Sequence, residues 1–140
     1  MQKQKRYAYR PKGNFIQIPR QVFIFTQLLR PSTDGKIYLF MYDMSIARGH
    51  THTHLVSIRE MESILGIQKS ALHESVTRLR AMGALEVYQV YKNEGTRYTV
   101  NLPVWNGSSW DFYPAGQCPY LYKKGEAVDA EIPQDLLGFW

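Results

Sequence analysis

The sequence predicts an α+β chain, mainly helical, with the element order α-α-β-α-α-β-β and an aromatic-rich C-terminal extension. Three observations predict it. Apolar residues recur at helical spacing in four stretches between residues 20 and 82. The last two stretches are separated only by Leu65-Gly66-Ile67, a tight turn. Two runs of strand-forming residues flank Lys92-Asn93-Glu94-Gly95, which has the turn chemistry of a hairpin. With 140 residues, 44% of them hydrophobic, the chain suffices for one domain with an ordinary core.

Residues 1–14 carry Lys3, Lys5, Arg6, Arg10 and Lys12 with no acid, and they show neither period. They read as a basic arm that lies on phosphates or in a minor groove, or as a solvated terminus. Residues 15–102 form the domain. Pro19 pre-sets φ for a first helix over residues 20–30, where Val22, Phe23, Phe25, Thr26 and Leu29 repeat until Pro31. Asp34 is placed to cap a second helix whose Ile37, Tyr38, Phe40, Met41, Met44 and Ile46 are apolar on nearly every side, so it is central and buried; Gly49 lies beyond its end. Residues 55–58, with β-branched Val56 and Ile58, are too few for a helix, which suits a short edge strand.

Ser57 and Glu60 have the spacing of a capping box, and Ile58, Met61, Ile64 and Leu65 mark one face of a short third helix up to Gly66. A fourth begins near Gln68, with Leu72, Val76 and Leu79 on its inner face, and ends at Gly83. Strands follow over residues 85–91 and 96–102, the latter alternating Tyr98, Val100 and Leu102 with Arg97, Thr99 and Asn101. Residues 103–140 are an extension containing Trp105, Trp110, Phe112, Tyr113, Tyr120, Tyr122, Phe139 and Trp140, with a helical period only at residues 134–137. Its aromatics are expected to fold back over the first two helices. The competing reading is an exchange across a dimer or the docking of a protein partner.

The net charge of +5 is divided unevenly: residues 1–97 carry 15 Lys or Arg against 7 Asp or Glu, and residues 98–140 carry 2 against 5. A basic body suits a polyanion such as nucleic acid, with the acidic end turned away from phosphates. No apolar run approaches the roughly 20 residues of a membrane span, and no signal pattern opens the chain, so a cytoplasmic protein that makes no membrane contact is expected. A single cysteine, Cys118, excludes an internal disulfide and a Cys-based zinc finger.

Two short helices joined by a tight turn place the second with its outer side free, and a major groove admits one helix. Burying Leu72, Val76 and Leu79 turns Gln68, Lys69, Ser70, His73, Glu74 and Thr77 outward. Gln suits adenine, Lys suits guanine, Ser and Thr serve either role, and Glu accepts from cytosine. Arg78 and Arg80 are assigned to phosphates, and Lys92, Asn93, Gly95 and Arg97 to the backbone or adjacent minor groove.

The run from Ser57 to Leu85 resembles the winged helix-turn-helix of bacterial regulators and initiators. The shared features are a small residue opening the first helix (Ser57), a Leu65-Gly66-Ile67 turn, an Arg78-Leu79 pair late in the reading helix and a Gly83-Ala84-Leu85 step into the wing. Gln68 stands where the family often has a capping Ser, and Glu74 where a basic or polar contact is usual. With the wing, the likeness covers residues 55–102. The segment from Phe15 to Phe23, with Lys36-Ile37-Tyr38-Leu39-Phe40, more loosely resembles N-terminal winged-helix domains of plasmid and phage replication initiators. The resemblance implies sequence-specific binding of double-stranded DNA, with regulation of transcription as the leading role and origin binding in replication as the alternative. A protein-interaction adaptor is a second alternative. It also implies a homodimer, whose two reading helices would sit roughly 34 Å apart on inverted half-sites.

His50, His52 and His54 alternate, so an extended backbone would align three imidazoles as a site for Zn²⁺, Ni²⁺ or Cu²⁺. No acid or cysteine flanks them, and a solvated loop with no metal is the preferred reading. No nucleophile with a base, carboxylate pair or phosphate-cradling glycine loop has recognisable spacing, so neither an enzyme nor a cofactor is expected. Cys118 has no neighbouring His and reads as an inert thiol.

Overall fold

A computed structural model describes residues 17–122 of the chain. It is α+β: five helices, two single 3₁₀ turns and two small antiparallel sheets. The basic arm with Lys3, Lys5 and Arg6, and the helical period at residues 134–137, lie outside the described residues. Among the described residues no helix is long and apolar enough to cross a membrane.

Helix α1 spans Arg20–Leu28 behind Pro19 and ends two residues earlier than its apolar pattern. Pro31 disfavours helical backbone at the residue before it, and Leu29 is already extended. Arg30 Nη1 then donates to the carbonyls of Gln27 (2.7 Å) and Leu29 (2.8 Å). Helix α2, Ser32–Met44, is the central rod: Ile37, Tyr38, Phe40, Met41, Tyr42 and Met44 are all buried. It stops short of Gly49, because a 3₁₀ turn, Ile46–Arg48, intervenes before that glycine closes the segment in the left-handed region.

Helix α3 runs Ile58–Leu65, and Ser57 Oγ caps it by accepting from Glu60 N–H (3.1 Å). Gly66, at φ 67°, ends it, and helix α4 follows over Lys69–Met82 and ends at Gly83, at φ 96°. Strands β1, Leu85–Tyr91, and β2, Gly95–Val100, form the hairpin, with an irregularity between Val87 and Gln89.

Two strand expectations need correction. The edge strand at residues 55–58 is not a regular strand. Residues 51–56 instead run along β2 through isolated bridges, His52 to Thr99 and Val56 to Thr96. Ile58 already belongs to α3, whose cap at Ser57 ends the extended run. The strand expected over 96–102 is divided at Asn101, whose Nδ2 donates to Gly83 O (2.9 Å) and Glu86 Oε2 (3.0 Å). Beyond it the chain enters a second hairpin, β3 at Leu102–Trp105 and β4 at Trp110–Tyr113. A 3₁₀ turn and the short helix α5, Pro119–Tyr122, follow.

This second hairpin folds the aromatic extension back over α1. Phe25 meets Tyr38, Trp110 and Phe112 edge-to-face at 5.4, 5.6 and 5.3 Å between ring centres. Tyr120 OH donates to Pro103 O (2.7 Å), and Cys118 is buried, with burial pushing its thiol pKa up.

Asp34 does not cap α2. Pro31 holds the cap position, and the Asp34 carboxylate lies within the first turn, turned inward and 1% exposed. Arg78 of α4 grips it with two donors, Nε and Nη2, each at 2.9 Å, and Ser75 Oγ donates to the same group. Burial alone would raise this carboxyl's pKa. The hydrogen bonds from Arg78 and Ser75, with the Arg78 charge, bring it below its ordinary 3.8.

The clamp and the close approach of α1 to α2 generate two predictions. Asp34→Ala, which removes the shared acceptor of Ser75 and Arg78, should lower unfolding stability by about 2 kcal/mol, read from urea denaturation. Because the folded pKa is depressed, the clamp's contribution is present above the unfolded value and disappears as pH falls through the folded one. Asp34→Asn should therefore remove part of the acid-side decline in the urea midpoint. At Gly35, a Cβ would collide with the Thr26 carbonyl oxygen of α1. Gly35→Ala should cost about 1–3 kcal/mol in the same assay, and an unchanged midpoint would contradict the packing described.

Candidate nucleic-acid interface

Helix α4 presents two different faces. Leu72, Ser75, Val76 and Leu79 are buried, while Gln68, Lys69, Ser70, His73, Glu74, Thr77 and Arg80 are exposed. A single helix turn therefore separates an apolar seam from a polar row, as the 3.6-residue period requires. Gln68 sits at the cap position without a side-chain hydrogen bond to the backbone, so its amide is free of a capping duty. Thr77 Oγ1 donates to His73 O (2.8 Å), which uses its proton within the helix and leaves its lone pairs as acceptors.

Helix α3 supports α4 from behind. Its buried Met61, together with Ile67 in the turn, joins the core cluster that holds Leu72, Val76 and Leu79. Gly66 makes the reversal possible, its left-handed backbone allowing its N–H to reach Glu62 O (3.0 Å) before the chain re-enters a helix.

Arg78, expected at a phosphate, is paired within the protein. Its guanidinium is part-exposed, at 39% for the side chain, yet its charge is committed to the buried Asp34 carboxylate, which needs a counter-ion. Arg80, next but one, is exposed. Sequence reasoning missed this pairing because the partners lie 44 residues apart.

At the hairpin, Lys92 and Asn93 are exposed at the tip, with Asn93 in the left-handed region at φ 65°. Arg97 is also partly committed. Its Nε donates to Thr53 O (3.1 Å), and its guanidinium carbon lies 5.2 Å from the centre of the Tyr88 ring. The other side of that local cluster is His52, stacked on Tyr88 with ring centres 3.5 Å apart and Nδ1 3.0 Å from Thr99 Oγ1.

The alternating histidines are thus separated by role. His52 is stacked on the hairpin, His50 is exposed, and His54 is half-buried. Burial lowers the pKa of His52 and His54, assisted in both cases by Arg97 and, for His54, by Arg48 and His50. Among the described residues no three His, Cys, Asp or Glu side chains come together as a ligand set.

A hollow of about 480 Å³ lies elsewhere, between Ile18, Gln21, Tyr42, Ile46 and Tyr120. Arg20 is the one charged side chain on its wall, and no base or nucleophile pair converges there. The exposed row of α4 projects from a helix braced on its other face, and Lys92 and Asn93 are exposed at the hairpin tip. No family model, curated protein or solved structure matches this chain.

Proposed function

We propose that this chain is a winged helix-turn-helix protein that binds double-stranded DNA in a sequence-specific way and acts as a transcriptional regulator. The observation that carries the reading is α4. It is braced on one side by α3 and the core, and on the other it exposes Gln68, Lys69, Ser70, His73 and Thr77.

Such a helix fits a major groove about 12 Å wide, and its N-terminal residues reach base edges first. Lys69 donates to guanine O6 or N7, Gln68 is bidentate towards adenine, and Ser70 and Thr77 take either role. Glu74 is restricted to cytosine N4 and repels phosphates, which makes it a discriminating position. Arg80 meets the phosphate backbone and sets register, while the hairpin tip at Lys92 and Asn93 lies against the backbone or adjacent minor groove. The reading needs no cofactor and no catalytic step.

Selection of tight binders from a random duplex pool at near-physiological salt tests this directly. An enriched motif is expected. Inverted half-sites would fit a dimeric regulator, direct repeats would favour origin binding in replication, and no enrichment would leave protein contact as the use of the fold. Against the selected site, Lys69→Ala should cost about 1–3 kcal/mol and relax preference at one base position. Arg80→Ala should weaken all sequences alike and reduce the salt slope by about 1. Fluorescence anisotropy across a salt series, with matched and mismatched duplexes, separates the two effects. Equal behaviour of both variants and wild type would place the interface elsewhere.

A further inference from the structure

We propose that strand β1 is a homodimer interface, in which two copies pair antiparallel along their outer β1 edges about a two-fold axis at Gln89. The proposal does not depend on the α4 face and gives the expected homodimer a surface.

Strand β1 pairs only with β2 among the described residues, leaving its other edge open. An open edge is a template for another strand, and soluble proteins blunt such edges with Lys, Pro or inward charges. Here the strand reads Leu85-Glu86-Val87-Tyr88-Gln89-Val90-Tyr91, with no Pro and no Lys, and its one irregularity lies at Tyr88, between Val87 and Gln89. Three of its five exposed positions are apolar, with Val90 65%, Tyr88 50% and Val87 39% exposed, and the other two are Glu86 and Gln89. Phosphates do not reward such residues, whereas a second strand does.

The charge pattern selects the partner and its register. The strand has one acid, Glu86, near its start and one base, Lys92, just past its end. Antiparallel self-pairing centred on Gln89 sets Glu86 opposite Lys92 of the second copy, and the two-fold axis repeats the pair. The same register opposes Val87 to Tyr91, matching a β-branched residue with an aromatic, while Tyr88 sits at the irregularity with its ring on His52. Centring on Tyr88 instead would set Glu86 against Val90, and parallel pairing would set like against like. Glu86 Oε2 already accepts from Asn101 Nδ2, so Oε1 remains for the ammonium. Tyr91 OH donates to Gln89 Oε1 (2.9 Å), which fixes the side chain that would sit on the axis. Lys92 is thereby shared with the dimer, and contact with bases rests on α4.

Two measurements on the full chain, without DNA, test the proposal. Sedimentation equilibrium should give a dimer for wild type, weakened roughly tenfold by Glu86→Lys or by Lys92→Glu, because each puts like charges opposite each other twice. The double variant should restore wild-type association, which a merely structural effect on the Asn101 contact would not do. Independently, Gln89→Cys should form an intermolecular disulfide under mild oxidation, since residues on the axis face their own copies within bridging distance. Gln27→Cys, exposed on α1, serves as the collision control. Association unaffected by all charge variants, or Gln89→Cys cross-linking no faster than Gln27→Cys, would overturn the interface. Loss of DNA binding in Lys69→Ala with dimerisation intact would show that the two surfaces act separately.

Discussion

The orientation of α4 depends on one buried carboxylate. Apolar packing against α2 brings the two helices together, but such contact is non-directional and tolerates rotation of a helix about its own axis. Asp34 supplies the direction. It is held by Ser75 and Arg78, two residues one turn apart on α4, so that a particular edge of that helix must face α2. Thr33 Oγ1 lies 3.2 Å from Ser75 Oγ and completes the group. Once this edge is fixed, Lys69, Ser70, His73 and Thr77 have no direction left but outward. The interior thus determines which side chains are offered to a partner, and the cost of burying the charge is offset by its being fully hydrogen-bonded.

A second constraint ties the hairpin to this body. Residues 51–56 bridge between α2 and β2: Thr53 N donates to Tyr98 O (2.8 Å), Val56 N to Thr96 O (2.9 Å) and Thr96 N back to Val56 O (2.8 Å). Thr53 Oγ1 accepts from Tyr98 N (3.0 Å) and donates to His54 O (2.8 Å), so one buried hydroxyl satisfies backbone groups on both strands. Gly95 permits the contact. At φ 142° its α-carbon lies against the Val56 carbonyl, and any Cβ there would intrude on that oxygen. The hairpin is therefore covered along β2 and bare along β1, an asymmetry that arises from a loop rather than from the strands themselves.

Much of this was legible in local pattern. Ser57, Gly66 and Gly83 delimit α3 and α4 where capping chemistry puts them, and Leu72, Val76 and Leu79 form the inner seam that their spacing implies. The hairpin turn at 92–94 follows from its residues, with Asn93 taking the left-handed position. What escaped depends on distant partners. An Asp near a helix start has the local signature of a cap, and only Arg78, far along the chain, reveals its actual role. Likewise Arg97 reads as a free wing cation until Thr53 and Tyr88 occupy it. The β3–β4 hairpin was hidden because Pro103 and the tryptophans obscure alternation. Its signal was the Asn106-Gly107-Ser108-Ser109 turn, in which Asn106 Oδ1 accepts from the Ser108 and Ser109 amides, each at 2.9 Å.

The two hairpins show how similar pieces acquire different uses. The β3 strand is adjacent to α1, with Trp105 N donating to Gln21 Oε1 (2.8 Å), and β4 lays Trp110 and Phe112 on Phe25, so aromatic surface is consumed internally. The β1–β2 hairpin leaves Val87 and Val90 exposed and covers Tyr88 only in part, with the His52 ring stacked on it. Exposed apolar side chains scattered singly need no explanation, but Val87, Tyr88 and Val90 fall within four residues of a strand with an open edge. Their chemistry differs from that of the α4 row, where Lys, Ser, His and Thr favour a polar, anionic partner. On the reading proposed above, the β1 edge and the α4 row would take different partners, so that pairing of two copies would not cover the α4 face that would meet nucleic acid.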